Sequence, residues 1–436
     1  MTWQLLAMLA FVAVALALPS RLSAQNGRSP AGSSAPMEDG NGSQLPGGFM
    51  PEWRRSAERH GVTVTLEEIY DFQGNPSGGR AQKGTVFGRT NGVLQLDLEK
   101  LANWKGASLF VNGIFQAGSE LAISYVGAWD LTSSIAGTHT FRLNEFYLQQ
   151  TFLSKKATVR VGQIAAGTEF DNQAIGFDDP KSAFKTWINN TLCCGPPTVA
   201  QVFLSAPPAG KPGFLIRIDP TSHFFIKAGV FSGTHSTYVG DESGTRFDLR
   251  NAPVAAVSLG WKPGSEKSAH PGVYKIGIIH NFGYFPRFVT HIPTHGNDVI
   301  FADAGYALWR ARREDGSYSH RGIDAEFSIA LAPRVLNPND RETLAGVRFV
   351  GLVPHRPSDI ASVGIVDAHF SRDWNLDLAP QGQPRRASQQ NLEITYKFVI
   401  RRWISIWPDF QYVWKPSGDR RIGSAPILGL RLVFDH

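Results

Sequence analysis

Ile427-Leu428-Gly429-Leu430-Arg431-Leu432-Val433-Phe434 lies near the end of a 436-residue chain. Leucine or phenylalanine occupies positions 428, 430, 432 and 434, and Gly429, Arg431 and Val433 fall between them. A period of two with one apolar face is the mark of a β-strand that is greasy on one side only. The same period recurs upstream. Val62, Val64 and Leu66 alternate with Thr63, Thr65 and Glu67, and Leu94, Leu96 and Leu98 with Gln95, Asp97 and Glu99. Val159 and Val161 flank Arg160, while Phe214, Ile216 and Ile218 flank Leu215 and Arg217.

Read outward from these anchors, the sequence gives sixteen strand windows: 61–73, 87–99, 107–117, 139–153, 156–166, 212–218, 223–232, 251–262, 272–284, 305–313, 320–333, 343–352, 361–371, 390–400, 403–414 and 426–436. The pattern alone suits a soluble exported sandwich that binds sugars as well as a membrane barrel. Connection length separates them. Long segments (74–86, 118–138, 167–211, 233–250, 285–304, 334–342, 372–389, 415–425) alternate with short ones such as Ser154–Lys155, Asp219 to Ser222 and Arg401–Arg402. Transmembrane barrels have short turns on one side, longer loops on the other and an even strand count. The expected fold is therefore all-β: one transmembrane antiparallel barrel of about sixteen strands, over 52–436, led by a short periplasmic helix.

The apolar run Leu5 to Leu18, then Pro19 and mostly small residues to Ala24, has the form of a secretory signal peptide, with Ala17 as an alternative cut. Residues 25–51, rich in Gly, Ser, Pro and Asn, read as a disordered mature amino terminus. The 44 Gly, 28 Phe and 11 Trp suit turns, strands and interfacial girdles, and 2 Cys in an exported chain argue against a disulfide scaffold. The net charge of +6 is scattered in small groups such as Arg310 to Arg313 and Arg420–Arg421, which gives no tract for nucleic acid and suits a pore wall or anionic lipid headgroups.

The sequence holds no Gly-x-Ser-x-Gly elbow, His-Glu-x-x-His pair or phosphate-binding glycine loop. His291 and His295 have helical metal spacing, but Pro293 lies between them in an expected loop, so no metal or cofactor is expected. A dispersed serine–histidine site on the barrel wall is the enzyme alternative.

The longest connection, 167–211, follows the fifth strand and is expected to fold into the lumen. It carries Phe170, Phe177, Phe184 and Trp187 among Asp171, Asp178, Asp179, Lys181 and Lys185. Aromatic faces stack on sugar rings while charged groups hydrogen-bond the hydroxyls; the alternative is that the aromatics anchor the loop to the wall. Pore-lining candidates are Asp97, Glu99, Arg142, Asn144, Glu145, Arg160, Arg217 and Lys227. In the fifth strand Val159 and Val161 should face lipid, so Arg160 faces inward. In the fourth, Phe141, Leu143 and Tyr147 should face lipid and Arg142 and Asn144 the lumen. Strict alternation would put Glu145 in lipid, so a bulge is expected there.

Several segments, in order, resemble the carbohydrate-selective porin family (OprB-like). They are Trp53-Arg54-Arg55 through His60-Gly61; Asn75-Pro76-Ser77-Gly78-Gly79; Asp97-Leu98-Glu99-Lys100-Leu101 with Trp104-Lys105-Gly106; Arg142 to Tyr147 with Gln150; Val161-Gly162-Gln163; Gly351 to Asp359; and Pro408 to Val413 with Pro416, then Ile427 to Leu432. The resemblance implies an outer-membrane channel for glucose-like monosaccharides and short oligosaccharides, in contact with lipid and lipopolysaccharide, inserted by the barrel-assembly machinery and open to homo-oligomerisation. A general or anion-preferring porin is the alternative within the fold. The end Phe434-Asp435-His436 departs from the usual terminal aromatic, and Cys193-Cys194, either bonded or two small loop residues, is unusual for a porin.

Overall fold

The structure, a computed structural model, describes residues 52–170, 185–195, 202–233, 243–249, 251–264 and 268–435. The leader expected over 1–24, the segment 25–51 and much of the long connection lie outside the described residues. A short helix α1 (Glu52–Arg59) leads into sixteen strands: β1 (Val62–Asn75), β2 (Lys83–Asp97), β3 (Ala107–Gly118), β4 (Thr140–Phe152), β5 (Ala157–Ile164), β6 (Lys211–Ile218), β7 (Phe224–Ser232), β8 (Pro253–Trp261), β9 (Gly272–Pro286), β10 (Pro293–Arg312), β11 (Tyr318–Leu331), β12 (Asn339–Val350), β13 (Ile360–Phe370), β14 (Ser388–Arg401), β15 (Ile404–Trp414) and β16 (Ala425–Asp435). Each strand pairs antiparallel with its neighbours, and β16 pairs with β1 to close the barrel. Closure follows from the solvent: hydrocarbon offers no hydrogen bonds, so a spanning sheet must have no free edge. Among the described residues no helix is long and apolar enough to cross a membrane.

The apolar teeth read from the sequence lie on the outer face. Leu66, Val161, Phe214, Leu428 and Leu430 are all exposed. Aromatics collect near both ends of the strands. Trp261 stacks on Tyr274, 5.5 Å between centroids, at the end that carries the chain termini, and Tyr412 sits 4.7 Å from Trp414 at the other. These are the two interfacial girdles of an outer-membrane barrel.

Strict long–short alternation of the connections does not hold. The connection expected over 285–304 shrinks to 287–292, because β10 begins at Pro293 rather than near 305. Its alternation is hidden: buried Val299 and Phe301 share the inner face with Asp303, while Ala302 and Ala304 lie outside. His295 is consequently a strand residue, and His291 in the turn meets Asp377 at 3.2 Å. On the terminal side 98–106, 262–271 and 351–359 are longer than tight turns. Leu98, read as a strand tooth, opens helix α2 (Leu98–Ala102) instead.

The barrel interior between β5 and β11 is an apolar core. Leu215, Phe231, Val254, Ile279 and Phe301 pack beneath Phe170 and Val202 of the long connection. Three buried phenylalanines lie across glycines on the adjacent strand: Phe225 over Gly260, Phe231 over Gly213 and Phe301 over Gly277. A Cβ on Gly277 would stand 2.4 Å from the Phe301 ring. The ring takes the space that the missing side chain leaves and covers the bare backbone. Replacing Gly277 with Ala should therefore cost about 1–3 kcal/mol by overpacking. Denaturant unfolding in detergent would show this, with most of the cost gone in a Phe301→Ala background.

Candidate functional site: a constriction built by two inward loops

The barrel is narrowed by two loops from the end opposite the termini. The first, 119–139, is held to the wall by groups on β1, β2, β3 and β15. Gln73 Nε2 donates to the Thr132 carbonyl at 2.9 Å, Arg89 to that of Ile135 at 3.1 Å, Gln116 to that of Thr138 at 2.9 Å, and Gln411 to that of Thr132 at 2.7 Å. The strongest clamp is the ion pair at the seam. Arg431 of β16 stands directly opposite Asp71 of β1 and binds it bidentately, Nε–Oδ1 2.6 Å and Nη2–Oδ2 2.7 Å, with both side chains buried. The Ser133 hydroxyl donates to Asp71 and Arg431 donates to the Ser134 hydroxyl. Sequence reading did not place this loop in the lumen, because its anchors on the loop side are carbonyls and small hydroxyls.

The second loop, 165–210, includes α3 (Gly167–Phe170) and α4 (Asn190–Cys194). Glu393 of β14 accepts the backbone N–H groups of Ile188 and Asn189, each at 2.8 Å. The Trp187 indole donates to Glu326 at 2.7 Å, and Arg431 reaches the Trp187 carbonyl at 3.4 Å. The ring needs room at the wall, and two paired glycines give it: a Cβ on Gly346 would stand 2.5 Å from Trp187, and one on Gly364 3.0 Å. Nothing in the strand pattern marked Gly346 or Gly364, since a glycine reads alike on either face. The Asn189 side chain caps α4 by accepting from Thr191 and Leu192. The loops also join each other, Ser134 N–H to Ile188 carbonyl at 2.7 Å and Asn190 N–H to Leu131 carbonyl at 3.0 Å.

Beside these loops is a ledge of mixed charge. Arg160 and Lys227 both pair with Glu169 of α3, and Arg160 also donates to Gln149 at 2.8 Å. Arg160 stands 5.1 Å from the centroid of Tyr147, which stacks on Phe110 at 4.8 Å and 17°. Tyr147 is inward, not on the lipid face as expected. The reason is the bulge: the β3–β4 register shifts between Asn112 and Gly113, so Asn144 is extra and parity reverses after it. Phe146 takes the exposed position and Glu145 turns in to accept the Ala165 N–H at 2.9 Å.

The remaining candidates fall into distinct places. Asn144 donates to Asn112 and accepts from Gly210 N–H, and Arg142 is buried under 243–249. Asp97 and Glu99 are not on the pore wall. Asp97 caps α2, and Glu99 accepts the Gly106 N–H within the same turn. Arg217 pairs with Asp219 near the termini-side mouth. Phe170 and Trp187 are fully buried and serve as anchors, so they offer no face to a passing ring. Lys185 is exposed and shares an electrostatic neighbourhood with Glu67, Lys397 and Arg431. Asp171, Phe177, Asp178 and Asp179 lie outside the described residues. The Cys193 and Cys194 thiols are free, with sulfurs 2.9 Å apart.

A closed sixteen-strand barrel with inward loops defines an outer-membrane channel of the porin class. A family model described as carbohydrate-selective porin, OprB family, matches residues 81–435. The chain belongs to that family and is an outer-membrane sugar channel. It is 21% identical over 418 residues to Porin B of Pseudomonas aeruginosa, covering 85% of this chain and 88% of that one. Among solved structures it resembles Pseudomonas putida OprB determined at high pH (TM-score 0.77, 17% identity, 88% and 96% of the two chains) and at low pH (TM-score 0.55, 15% identity, 88% and 95%). At these identities the likeness of structure concerns the fold.

Glu169 gives the ledge its pH behaviour. Burial pushes its carboxyl up, but Lys227 and Arg160 outweigh burial and hold it down, from the ordinary 4.5 to about 2. Because the folded value is depressed, the stabilisation is present above the unfolded value and is lost only as pH falls through the folded one. The charge of Glu169 should thus stay constant from pH 7 to about 3. Glu169→Gln should move the reversal potential in a salt gradient toward anion selectivity across that whole range. It should also cost about 3 kcal/mol, because buried Lys227 loses the charge of Glu169.

Proposed function

We propose that the channel selects neutral saccharides of monosaccharide to short-oligosaccharide size, glucose-like sugars among them. The observation that carries this is the pairing of the Phe110–Tyr147 stack with Arg160 and Glu169 at the constriction. A sugar has weakly apolar C–H faces and hydroxyls that both donate and accept. The partly buried Phe110 ring, backed by Tyr147, binds the former, and charges of both signs at short range serve the latter. Weak, multiple contacts suit passage because they release as readily as they bind. An anion channel would do better with the cations alone, and a nonspecific pore would need no aromatic ledge.

The same reading covers the rest of the chain. Residues 1–24 act as an export leader, 25–51 as a disordered mature amino terminus, and the barrel is inserted by the assembly machinery, meets lipopolysaccharide on its outer face and is free to self-associate. The protein works as a channel without hydrolytic activity of its own.

Liposome swelling with size-matched sugars, amino acids and carboxylates tests the selectivity. Sugars should enter fastest, and Tyr147→Ala or Phe110→Ala should reduce the sugar-to-carboxylate ratio severalfold. Equal rates for all solutes would make this a general porin. Faster carboxylate entry that disappears in Arg160→Gln would make it an anion channel.

A further inference from the structure

Away from the ledge, two buried carboxylates face each other where both inward loops meet the wall. Asp130 belongs to the first loop and is 2% exposed; Glu342 belongs to β12 and is 1% exposed. Each has one oxygen occupied: Gln389 Nε2 donates to Asp130 Oδ2 at 3.1 Å, and Asn339 Nδ2 to Glu342 Oε2 at 2.7 Å. The Thr191 hydroxyl of α4 is turned toward both carboxyl groups. The other oxygens, Asp130 Oδ1 and Glu342 Oε1, have no hydrogen-bond partner among the described residues, and neither has the carbonyl oxygen of Asn339, itself 3% exposed. Asn339 Oδ1 belongs to the same amide whose Nδ2 donates to Glu342 Oε2. Among the described residues no lysine or arginine acts on Asp130, and the leading charges acting on Glu342, those of Asp130 and Asp367, are both negative.

Two like charges and three acceptors with one hydroxyl, that of Thr191, beside them are costly in a site shut off from water. One proton shared by Asp130 and Glu342 would relieve the repulsion. It would leave the Asn339 carbonyl unsatisfied. A single cation answers all three oxygens at once.

We propose that Asp130, Glu342 and Asn339, with Thr191 beside them, form a binding site for one divalent cation, of which calcium is the best match. The donors are all oxygen, two of them anionic and one an amide carbonyl, which is the set that calcium takes; soft metals want sulfur or imidazole. The ion ties the first loop, the second loop and β12 together, at a point separate from the Asp71–Arg431 clamp. It therefore fixes the aperture without touching the solute.

Terbium is the probe, since it substitutes for calcium and its emission is sensitised by a nearby indole; Trp129 adjoins Asp130 in the chain. The full-length protein in detergent, its folding checked by mobility that changes on boiling, should bind one terbium ion per chain more than either Glu342→Gln or Asp130→Asn. Calcium should displace that ion, and each variant should weaken binding at least tenfold. Using the difference between proteins removes any contribution of lipopolysaccharide carried through purification. Glu342→Gln keeps an acceptor for Asn339 Nδ2, so a folded variant is expected. Equal binding by the wild type and both folded variants, or terbium that calcium does not displace, would overturn the proposal and leave a proton and a water as the occupants.

Discussion

The bidentate pair between Asp71 and Arg431 ties three parts of this structure together. It crosses the seam between the first and last strands, where the barrel must close for its backbone to be satisfied in hydrocarbon. From the same two side chains come the hydrogen bonds to Ser133 and Ser134 of the first inward loop and to the Trp187 carbonyl of the second. One buried ion pair thus joins membrane insertion to pore geometry. Its two members are 360 residues apart in the chain, so the aperture is complete only when the last strand has paired.

Around that clamp the wall supplies groups that backbone amides and carbonyls can use. Glu393 accepts two adjacent N–H groups, Glu326 accepts an indole N–H, and Gln411, Gln73 and Arg89 donate to loop carbonyls. The buried charges on the pore side therefore do two different jobs. Some hold the loops, and their side chains are consumed in doing so. Others, at the Arg160–Glu169–Lys227 ledge, pair with each other beside an aromatic stack, and Arg160 among them remains partly accessible. This division is why a tally of lumenal charges says little about selectivity in such a channel.

The lipid side of the barrel was legible in the sequence because one solvent dictates it: Leu428, Leu430 and Val161 had to be apolar, and sixteen windows followed. The pore side obeys no single rule. Where loop residues cover it, the inner face is itself apolar, so β10 lost its alternation at Val299 and Phe301. At β4 one extra residue reverses parity; the bulge near Glu145 was foreseen, but its consequence for Tyr147 was not. Asp97 and Glu99 alternate with leucines as a pore wall would, yet Asp97 ahead of Leu98-Glu99-Lys100 is a helix-capping sequence, and that local chemistry prevails. Loop aromatics such as Phe170 and Trp187 were read as either solute contacts or anchors, and their burial makes them anchors.

The central claim is that the seam pair sets the aperture as well as closing the barrel. Replacing both partners, Asp71→Leu with Arg431→Met, removes the pair without leaving a lone buried charge, so the barrel should stay folded. The direct measurement is the single-channel conductance of this double variant in planar bilayers. The account predicts a severalfold higher conductance than the wild type, because Ser133, Ser134 and the Trp187 carbonyl lose their common partner. Wild-type conductance in the folded double variant would contradict it and confine the pair to closing the seam.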